Sequence, residues 1–248
     1  MSIAIRLENV SKAYRLVKQK PFLAKEIFRR ILQRPSSVER HWALRDVSFE
    51  IEQGQSVGVI GTNGSGKSTL LSLIAKTSYP TTGTVTVEGR VGPLLELGAG
   101  FQPELTGFEN IFLNSALLGL SKEDVEANLE SVIDYSGLKE FIHSPISTYS
   151  TGMAARLGFA VIAHIEPDIL LIDEILAVGD AEFQAKCQET MRAFVERGTT
   201  LFLVSHNLQS VEKICSRAIW IDDGKMKAIG DAAGVIELYL DPTAGDES

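Results

Sequence analysis

Residues 61–69, which read GTNGSGKST, restrict the fold of this chain more than any other stretch. They follow a short apolar run at 57–60 and precede a predicted helix at about 67–75. The stretch fits the pattern G-x-x-x-x-G-K-[ST] at every position, and that pattern needs a strand before it and a helix after it. Because its glycines let backbone N–H groups turn inward around phosphate oxygens, the sequence predicts a phosphate-binding loop.

The side chains of this loop predict what it binds. Lys67 is expected to reach the β- and γ-phosphates of a nucleotide as a catalytic residue, and Ser68 to place its hydroxyl on Mg²⁺. The N-terminus of the following helix adds partial positive charge. The candidate nucleotide-binding residues of the loop are Gly61, Asn63, Gly64, Ser65, Gly66, Lys67, Ser68 and Thr69.

Two later apolar runs end in polar residues that suit a hydrolytic site. The first, ILLIDE at 169–174, delivers Asp173 and Glu174, and the second, LFLVSHN at 201–207, delivers His206. Asp173 is expected to hold Mg²⁺ through water, and Glu174 to polarise the attacking water as a general base. His206 is expected to contact the γ-phosphate and that water. On their own these groups could be solvated acids and a structural histidine; behind a phosphate loop we interpret them as catalytic.

The apolar pattern of the chain predicts an α/β fold. Apolar residues alternate with polar ones at 3–7, 47–51 and 84–87, which indicates strands, and continuous apolar runs at 169–172 and 200–204 indicate buried strands. A strand, a glycine loop, a helix and later buried strands are typical of an α/β core with a parallel sheet.

A helical pattern from about 103 to 165 interrupts the strands. Ser121, with Asp124 three residues later, predicts a capping box at the start of one of its helices. We interpret the segment as a helical subdomain inserted into the core, and we predict a last hairpin around 222–225.

Composition excludes several classes of protein. A net charge of −8 argues against a general nucleic-acid-binding surface, which would have to be basic, so no nucleic-acid partner is expected. Cys187 and Cys215 lack CxxC spacing, and we interpret them as reduced packing residues. No apolar run reaches the roughly 18 residues of a membrane span, and the N-terminus alternates like a strand. Any association with a membrane is therefore expected to be peripheral or through a partner.

At these motifs the sequence resembles the ABC ATPases. Residues 61–69, 169–174 and 205–206 are similar to the Walker A, Walker B and switch-histidine segments of that family, and YSTGM at 149–153 is similar to its LSGGQ signature loop. The resemblance extends over about 3–240. It implies ATP and Mg²⁺ as cofactors. It also implies a P-loop NTPase fold with a RecA-like core, an antiparallel β-subdomain and the inserted helical subdomain.

The resemblance also implies a dimer, because the signature loop of this family serves the other subunit of a head-to-tail pair. Ser150, Thr151 and Gly152 are therefore expected to contact the ATP that a second copy of the chain holds. Asp180 matches the D-loop aspartate of the family. Tyr14 matches the aromatic residue that stacks on adenine, with a strand-end aromatic that covers the core as the alternative.

One family position stays open. The glutamine that couples the nucleotide to a membrane partner has Gln102 as its nearest candidate. The segment FQPELTGFEN at 101–110 aligns better with the stretch after the usual glutamine, so Glu96 and Leu97 are candidates as well.

Several segments resemble one branch of the family, the ATPases that export O-antigen, capsule or teichoic acid chains. These are the signature loop, DEILAVGD at 173–180, and residues 94–110, which carry LLELGAGF, PELTG and EN. The resemblance implies a multi-span membrane permease as partner and a peripheral location on the cytoplasmic face of the inner membrane. An exporter of drugs or lipids, and a soluble ABC switch protein without a transport role, are the alternatives.

An extra segment at 15–40 carries eight Lys or Arg and two Glu, and so contributes +6 to a chain of −8. Its apolar residues recur at helical spacing, which predicts a basic amphipathic helix on the inner-membrane surface or on a partner. A surface helix packed on its own domain is the alternative. The predicted organisation is an ATPase domain at 1–240, with the insert at 15–41 and the helical subdomain at about 103–165, and a mobile tail at 241–248. Whether a C-terminal carbohydrate-binding domain belongs to this protein stays open.

Overall fold

The structure is a computed structural model that describes residues 2–15, 40–94, 98, 100–164, 166–173 and 180–241. The predictions for the 15–41 insert, for Glu96, Leu97 and Glu174 and for the tail therefore fall, wholly or for the most part, outside the described residues. The strands are β1 (Ile3–Arg15), β2 (Arg40–Glu52), β3 (Ser56–Ile60), β4 (Thr82–Val87), β5 (Val91–Leu94), β6 (Ile169–Asp173), β7 (Thr200–Val204), β8 (Arg217–Asp222) and β9 (Lys225–Asp231). The α-helices are α1 (Lys67–Ile74), α2 (Gly107–Leu117), α3 (Lys122–Ser136), α4 (Thr151–Ala163), α5 (Ala181–Glu196), α6 (Leu208–Ile214) and α7 (Ala232–Leu240).

The central sheet has the strand order β5-β6-β7-β3-β8-β9. Its strands pair in parallel from β5 to β8, and β9 returns antiparallel to β8 through the predicted hairpin at Asp223 and Gly224. Every residue of β3 and β7 is buried, because helices and the second sheet cover both faces of a parallel sheet. The predicted α/β class is confirmed.

A second, antiparallel sheet has the order β2-β1-β4. The alternation predicted at the start of β1 buries Ile5 and Leu7, which share a core with α1 and one face of the central sheet. In that core Phe49 of β2 stacks on Phe202 of β7, with ring centroids 6.4 Å apart. The helix that follows the phosphate loop is thus held between the two sheets.

Helices α2, α3 and α4 lie between β5 and β6, where the sequence predicts a helical insertion. The predicted capping box of α3 is present, with the Ser121 hydroxyl accepting from the backbone N–H of Asp124. Thr106 and Glu109 form the same device at the start of α2. Among the described residues, no helix is both long enough and apolar enough to cross a membrane.

Candidate active site

The ends of three adjacent strands form the site. β6, β7 and β3 are neighbours, with Asp173 opposite Val204 and Val204 opposite Val59. Their carboxyl ends therefore meet at one edge of the sheet, where ligands bind in open α/β folds. The structure brings the phosphate loop, Asp173 and His206 together at this edge, with His206 exposed two residues beyond β7. Glu174 is the next residue after Asp173 and lies outside the described part of the chain.

The shape of the phosphate loop depends on its glycines. Gly61, Gly64 and Gly66 have φ angles of 150°, 80° and 111°, which L side chains rarely adopt. A Cβ atom on Gly61 would collide with the carbonyl of Ile221, and one on Gly66 with the carbonyl of Ala43. Gly66 is also the N-cap of α1, and no side chain caps this helix. The backbone thus closes around a space bordered by the positive end of α1.

The Ser65 hydroxyl lies within this loop and lacks a hydrogen-bond partner among the described residues. Its side chain is buried, and its oxygen would lie 2.9 Å from a Cβ added to Gly61. The backbone of Ser65 is fixed, because its carbonyl accepts from the N–H of Gly224 at 2.9 Å. A buried hydroxyl left without a partner costs about 1–3 kcal/mol, so its position suits a polar ligand within the loop.

Lys67 and Asp173 form the charged part of the site. The Lys67 ammonium donates to the carbonyls of Gly61 and Thr62, both at 2.9 Å. Burial lowers the pKa of Lys67 below its ordinary value, and the charge of Asp173 partly offsets this. Burial raises the pKa of Asp173, and Lys67 partly offsets that. Each group thus lies close enough to feel the other's charge.

Tyr14 lies at the end of β1, opposite His41 of β2. Its side chain is 43% exposed, and the Lys12 ammonium lies 5.2 Å from the centre of its ring. The backbone of β2 at Ala43 touches the phosphate loop at Gly66, so this end of the sheet borders the site. A role of Tyr14 in binding adenine stays a prediction.

The signature loop lies at the N-terminus of α4. Ser150 is the N-cap of this helix, and its hydroxyl accepts from the backbone N–H of Met153 at 3.2 Å. Ser150 and Thr151 are exposed, and Gly152 is half-buried. The Tyr149 hydroxyl donates to the carbonyl of Phe141 at 2.7 Å and fixes the preceding backbone. The loop is thus presented on the surface by a fixed base.

Asp180 is the N-cap of α5, where its carboxylate accepts from the backbone N–H of Phe183 at 2.9 Å. Its neighbour is Arg156 of α4, whose Nη1 lies 3.9 Å from Asp180 Oδ2 and which was not predicted from the sequence as a site residue. The signal was available, because Arg156 is the one charged residue in the helix TGMAARLGFAVIA.

The loop that contains Gln102 is held by its backbone. Gln102 N–H donates to Oδ1 of Asn110 at 2.7 Å, and Nδ2 of Asn110 donates back to the Gln102 carbonyl at 3.1 Å. Asn110 is fully buried and was not singled out from the sequence. The Gln102 side chain is exposed, and its coupling role stays a prediction beside those of Glu96 and Leu97.

Comparison with known proteins gives consistent matches along the chain. Residues 44–177 match the model of a family described as ABC transporter. The chain is 50% identical over 246 residues to an O-antigen export system ATP-binding protein, RfbB, of Klebsiella pneumoniae; the match covers 96% of this chain and 98% of that protein. It is 41% identical over 239 residues to the teichoic acids export ATP-binding protein TagH of Bacillus anthracis, covering 96% of this chain and 43% of TagH.

Solved structures show the same fold at lower identity. An ATP-binding subunit of an ABC transporter superimposes with a TM-score of 0.76 at 22% identity, covering 95% of this chain and 93% of that one. A dimeric ATP-binding cassette in a post-hydrolysis state with ADP and Pi superimposes with a TM-score of 0.72, also at 22% identity, covering 92% and 98%.

Proposed function

The chain belongs to the ABC transporter family, and on this premise we propose that it hydrolyses ATP to drive export of a lipid-linked polysaccharide through a separate membrane permease. The observation that carries the proposal is the meeting of the phosphate loop, Asp173 and His206 at the carboxyl ends of β3, β6 and β7. The family resemblance found in the sequence is confirmed.

ATP is held by backbone and side-chain donors of the phosphate loop. The backbone N–H groups of residues 61–69 surround the phosphates, and the Ser65 hydroxyl supplies a donor that is otherwise unpaired among the described residues. The Lys67 ammonium exchanges the carbonyls of Gly61 and Thr62 for the β- and γ-phosphate oxygens. Tyr14 stacks on the adenine ring. Burial of Lys67 strengthens its attraction to the phosphates, because screening by water is reduced.

The residues present also fit a magnesium ion. Ser68, exposed in the first turn of α1, and Asp173, at the end of β6, offer the hydroxyl and carboxylate oxygens that Mg²⁺ prefers. The raised pKa of Asp173, caused by burial, falls when a cation approaches, so the ion favours its ionised form. When bound between these residues, the ion would neutralise negative charge on the ATP phosphates.

Hydrolysis needs a base and a group that senses the γ-phosphate. We assign the first role to Glu174, which directly follows Asp173, and the second to His206 beyond β7. The N–H of Asn207 donates to the Ser205 hydroxyl at 3.0 Å, and the Asn207 side chain caps α6. These bonds hold the backbone on which His206 stands.

A second copy of the chain completes each site. Ser150, Thr151 and Gly152 approach the γ-phosphate held by the partner's phosphate loop, with Asp180 at the same interface. The exposed N-terminus of α4 supports this assignment, since it offers a hydroxyl, backbone N–H groups and a helix dipole to an anion. ATP then joins the two copies, and hydrolysis releases them.

The cargo and the partner are inferred from the relatives, whose names refer to the export of O-antigen or of teichoic acids. We propose that the chain sits on the cytoplasmic face of the inner membrane, bound to a multi-span permease. The basic segment at 15–40 is suited to contact the membrane surface or that permease, because its +6 charge attracts anionic lipid headgroups.

The proposal is tested by purifying the chain from membranes and identifying the proteins that accompany it. A multi-span permease and loss of surface polysaccharide on deletion of the gene are expected, with rescue by the wild-type chain and none by Lys67→Ala. The Glu174→Gln variant is expected to form an ATP-bound dimer that does not turn over. A soluble partner, or a permease that carries drugs, would refute the assigned cargo, and full turnover in Glu174→Gln would remove Glu174 from the role of base.

A further inference from the structure

The guanidinium of Arg156, in α4, lies between the C-terminus of α3 and the N-terminus of α5. Its Nε donates to the carbonyl of Ser136, the last residue of α3, at 3.0 Å. Its Nη1 lies 3.9 Å from Asp180 Oδ2 at the start of α5. Its Cζ lies 5.1 Å from the ring centroid of the buried Phe183. One side chain thus connects the helix of the signature loop to two neighbouring helices.

The end of α3 leaves space for the Arg156 side chain, because its C-cap residue is a glycine. Gly137 ends the helix with a φ of 66°, and a Cβ atom there would collide with Nη2 of Arg156. Arginine suits the place better than lysine, because a planar guanidinium can donate in several fixed directions while it stacks on an aromatic ring.

The elements that Arg156 joins serve two different ATP molecules of the proposed dimer. On the proposed function, the signature loop before Arg156 serves the ATP held by the partner. Asp180 comes seven residues after Asp173, the last residue of β6, which on the proposed function serves the ATP held by this chain. A contact between α4 and Asp180 therefore spans the two sites of the dimer.

We propose that Arg156 is a positioning residue that fixes α4, the helix of the signature loop, against Asp180 and thereby couples the two ATP sites. When ATP draws the signature loop toward the partner, α4 moves with it, and Arg156 transmits that movement to the backbone that carries Asp180. The proposal rests on the proposed function, since without the composite sites the contact has nothing to couple.

A second contact, between α3 and α5, supplies a matched control. The Tyr135 hydroxyl of α3 lies 2.7 Å from the Thr190 hydroxyl of α5. The Lys186 ammonium lies 3.9 Å from the centre of the Tyr135 ring. The hydrogen bond between the two hydroxyls involves neither Arg156 nor Asp180. Thr190→Val removes it and keeps the Tyr135 ring, which packs on Phe159 of α4, so the variant weakens the packing and leaves the proposed coupling in place.

The test compares Arg156→Lys, Asp180→Asn, the double variant and Thr190→Val. Asparagine keeps an N-cap acceptor for α5 and removes only the charge, so Asp180→Asn retains the fold. Each single variant at 156 or 180 is expected to lower kcat for ATP by about tenfold and to bring the Hill coefficient for ATP to about 1. Binding of ADP to the chain stays unchanged, because the phosphate loop is untouched.

The kcat of the double variant is expected to equal that of the single variant with the lower kcat, because both changes remove the same contact. Thr190→Val is expected to lower the melting temperature and keep kcat and the Hill coefficient. Additive losses in the double variant, or the same loss of kcat in Thr190→Val, would refute the coupling role while the proposed function stands. A wild-type chain that hydrolyses no ATP, alone or with its membrane partner, would refute the proposed function and the coupling with it.

Discussion

The N-termini of α1 and α4 both suit an anion, but the chain prepares them in different ways. At α1 the N-cap is Gly66, in a left-handed conformation and without a side-chain cap. At α4 the N-cap is Ser150, whose hydroxyl accepts from Met153 N–H. Gly61, Ser65 and Gly66 of the first loop are buried, whereas Ser150 and Thr151 of the second are exposed.

The difference shows which site the fold completes by itself. The phosphate loop is enclosed by groups of its own chain, since Ala43 and Ile221 leave no room for side chains at two of its glycines. The signature loop has a capped helix and a fixed base but no such enclosure at Gly152, where the nearest atom to an added Cβ, outside the local helix backbone, is the Ser150 hydroxyl oxygen at 3.8 Å. On the proposed function, a glycine that the fold does not require stands where the partner's ATP approaches closely.

The largest effect is expected from Lys67→Ala, which removes the cation of the enclosed loop. Loss of a group that stabilises transferring charge lowers kcat by about a hundredfold or more. ATP hydrolysis at saturating ATP measures this effect. The control is Lys122→Ala, because the Lys122 side chain is 72% exposed and pairs with the surface residue Glu126 at 3.4 Å. Hydrolysis that survives Lys67→Ala would mean that the enclosed loop is not where the γ-phosphate reacts.

A smaller effect, confined to the exposed loop, is expected from Ser150→Ala. Ser150 and Ser121 are the N-caps of α4 and α3, and each hydroxyl accepts from the backbone N–H three residues later, so alanine at either position removes one N-cap and destabilises the chain by about 1 kcal/mol. Only Ser150→Ala should also lower kcat, by about tenfold, because on the proposed function only its hydroxyl faces the partner's ATP. Chemical denaturation and ATP hydrolysis, measured on both variants, separate capping from catalysis. Equal kcat values for the two would place Ser150 among purely structural caps.

A weaker and opposite effect on stability is expected from Gly152→Ala. Gly152 lies in the first turn of α4, so alanine should stabilise the helix by about 0.5 kcal/mol. The same methyl group would stand where the partner's γ-phosphate approaches, so ATP-dependent dimerisation of the Glu174→Gln chain should weaken. Gly61→Ala is the contrasting variant, and it should destabilise the monomer because its Cβ collides with Ile221. Undiminished dimerisation of Gly152→Ala would show that the partner does not come close to this loop.

Local chemistry made much of the enclosed region predictable. The strand before the phosphate loop, the helix after it and the residues of β7 were all identified, because apolar runs, glycines and caps act over a few residues. The Ser121 capping box was identified for the same reason. Lys67, Asp173 and His206 could be assigned to one site because parallel strands end at a common edge.

Contacts between residues far apart in the sequence, and one short edge strand, were not predictable in this way. Arg156 reaches Ser136 and Asp180 across three helices, and Asn110 ties down the backbone of Gln102 through side-chain bonds. Edge strand β5 was missed because it has four residues and contains Pro93, which weakens a strand signal. Each depends on which distant elements meet, and the spacing of residues along the chain carries little of that information.

The smallest effect is expected from Asp173→Asn and concerns stability. Burial raises the pKa of the Asp173 carboxyl above 3.8, and Lys67 only partly offsets this. The folded chain therefore binds more protons than the unfolded chain between pH 3.8 and the raised pKa, so stability falls as pH rises through that window.

At neutral pH the ionised carboxylate of Asp173 destabilises the folded chain, and Asp173→Asn should raise the melting temperature slightly although hydrolysis is lost. The rise should shrink as the pH falls through the raised pKa toward 3.8, because wild-type Asp173 then gains its proton. The exposed Asp134→Asn is the control and should show no comparable rise. A lower melting temperature for Asp173→Asn at neutral pH would contradict this prediction. It would mean that attraction between the Asp173 carboxylate and Lys67 stabilises the folded chain by more than burial of the carboxylate destabilises it.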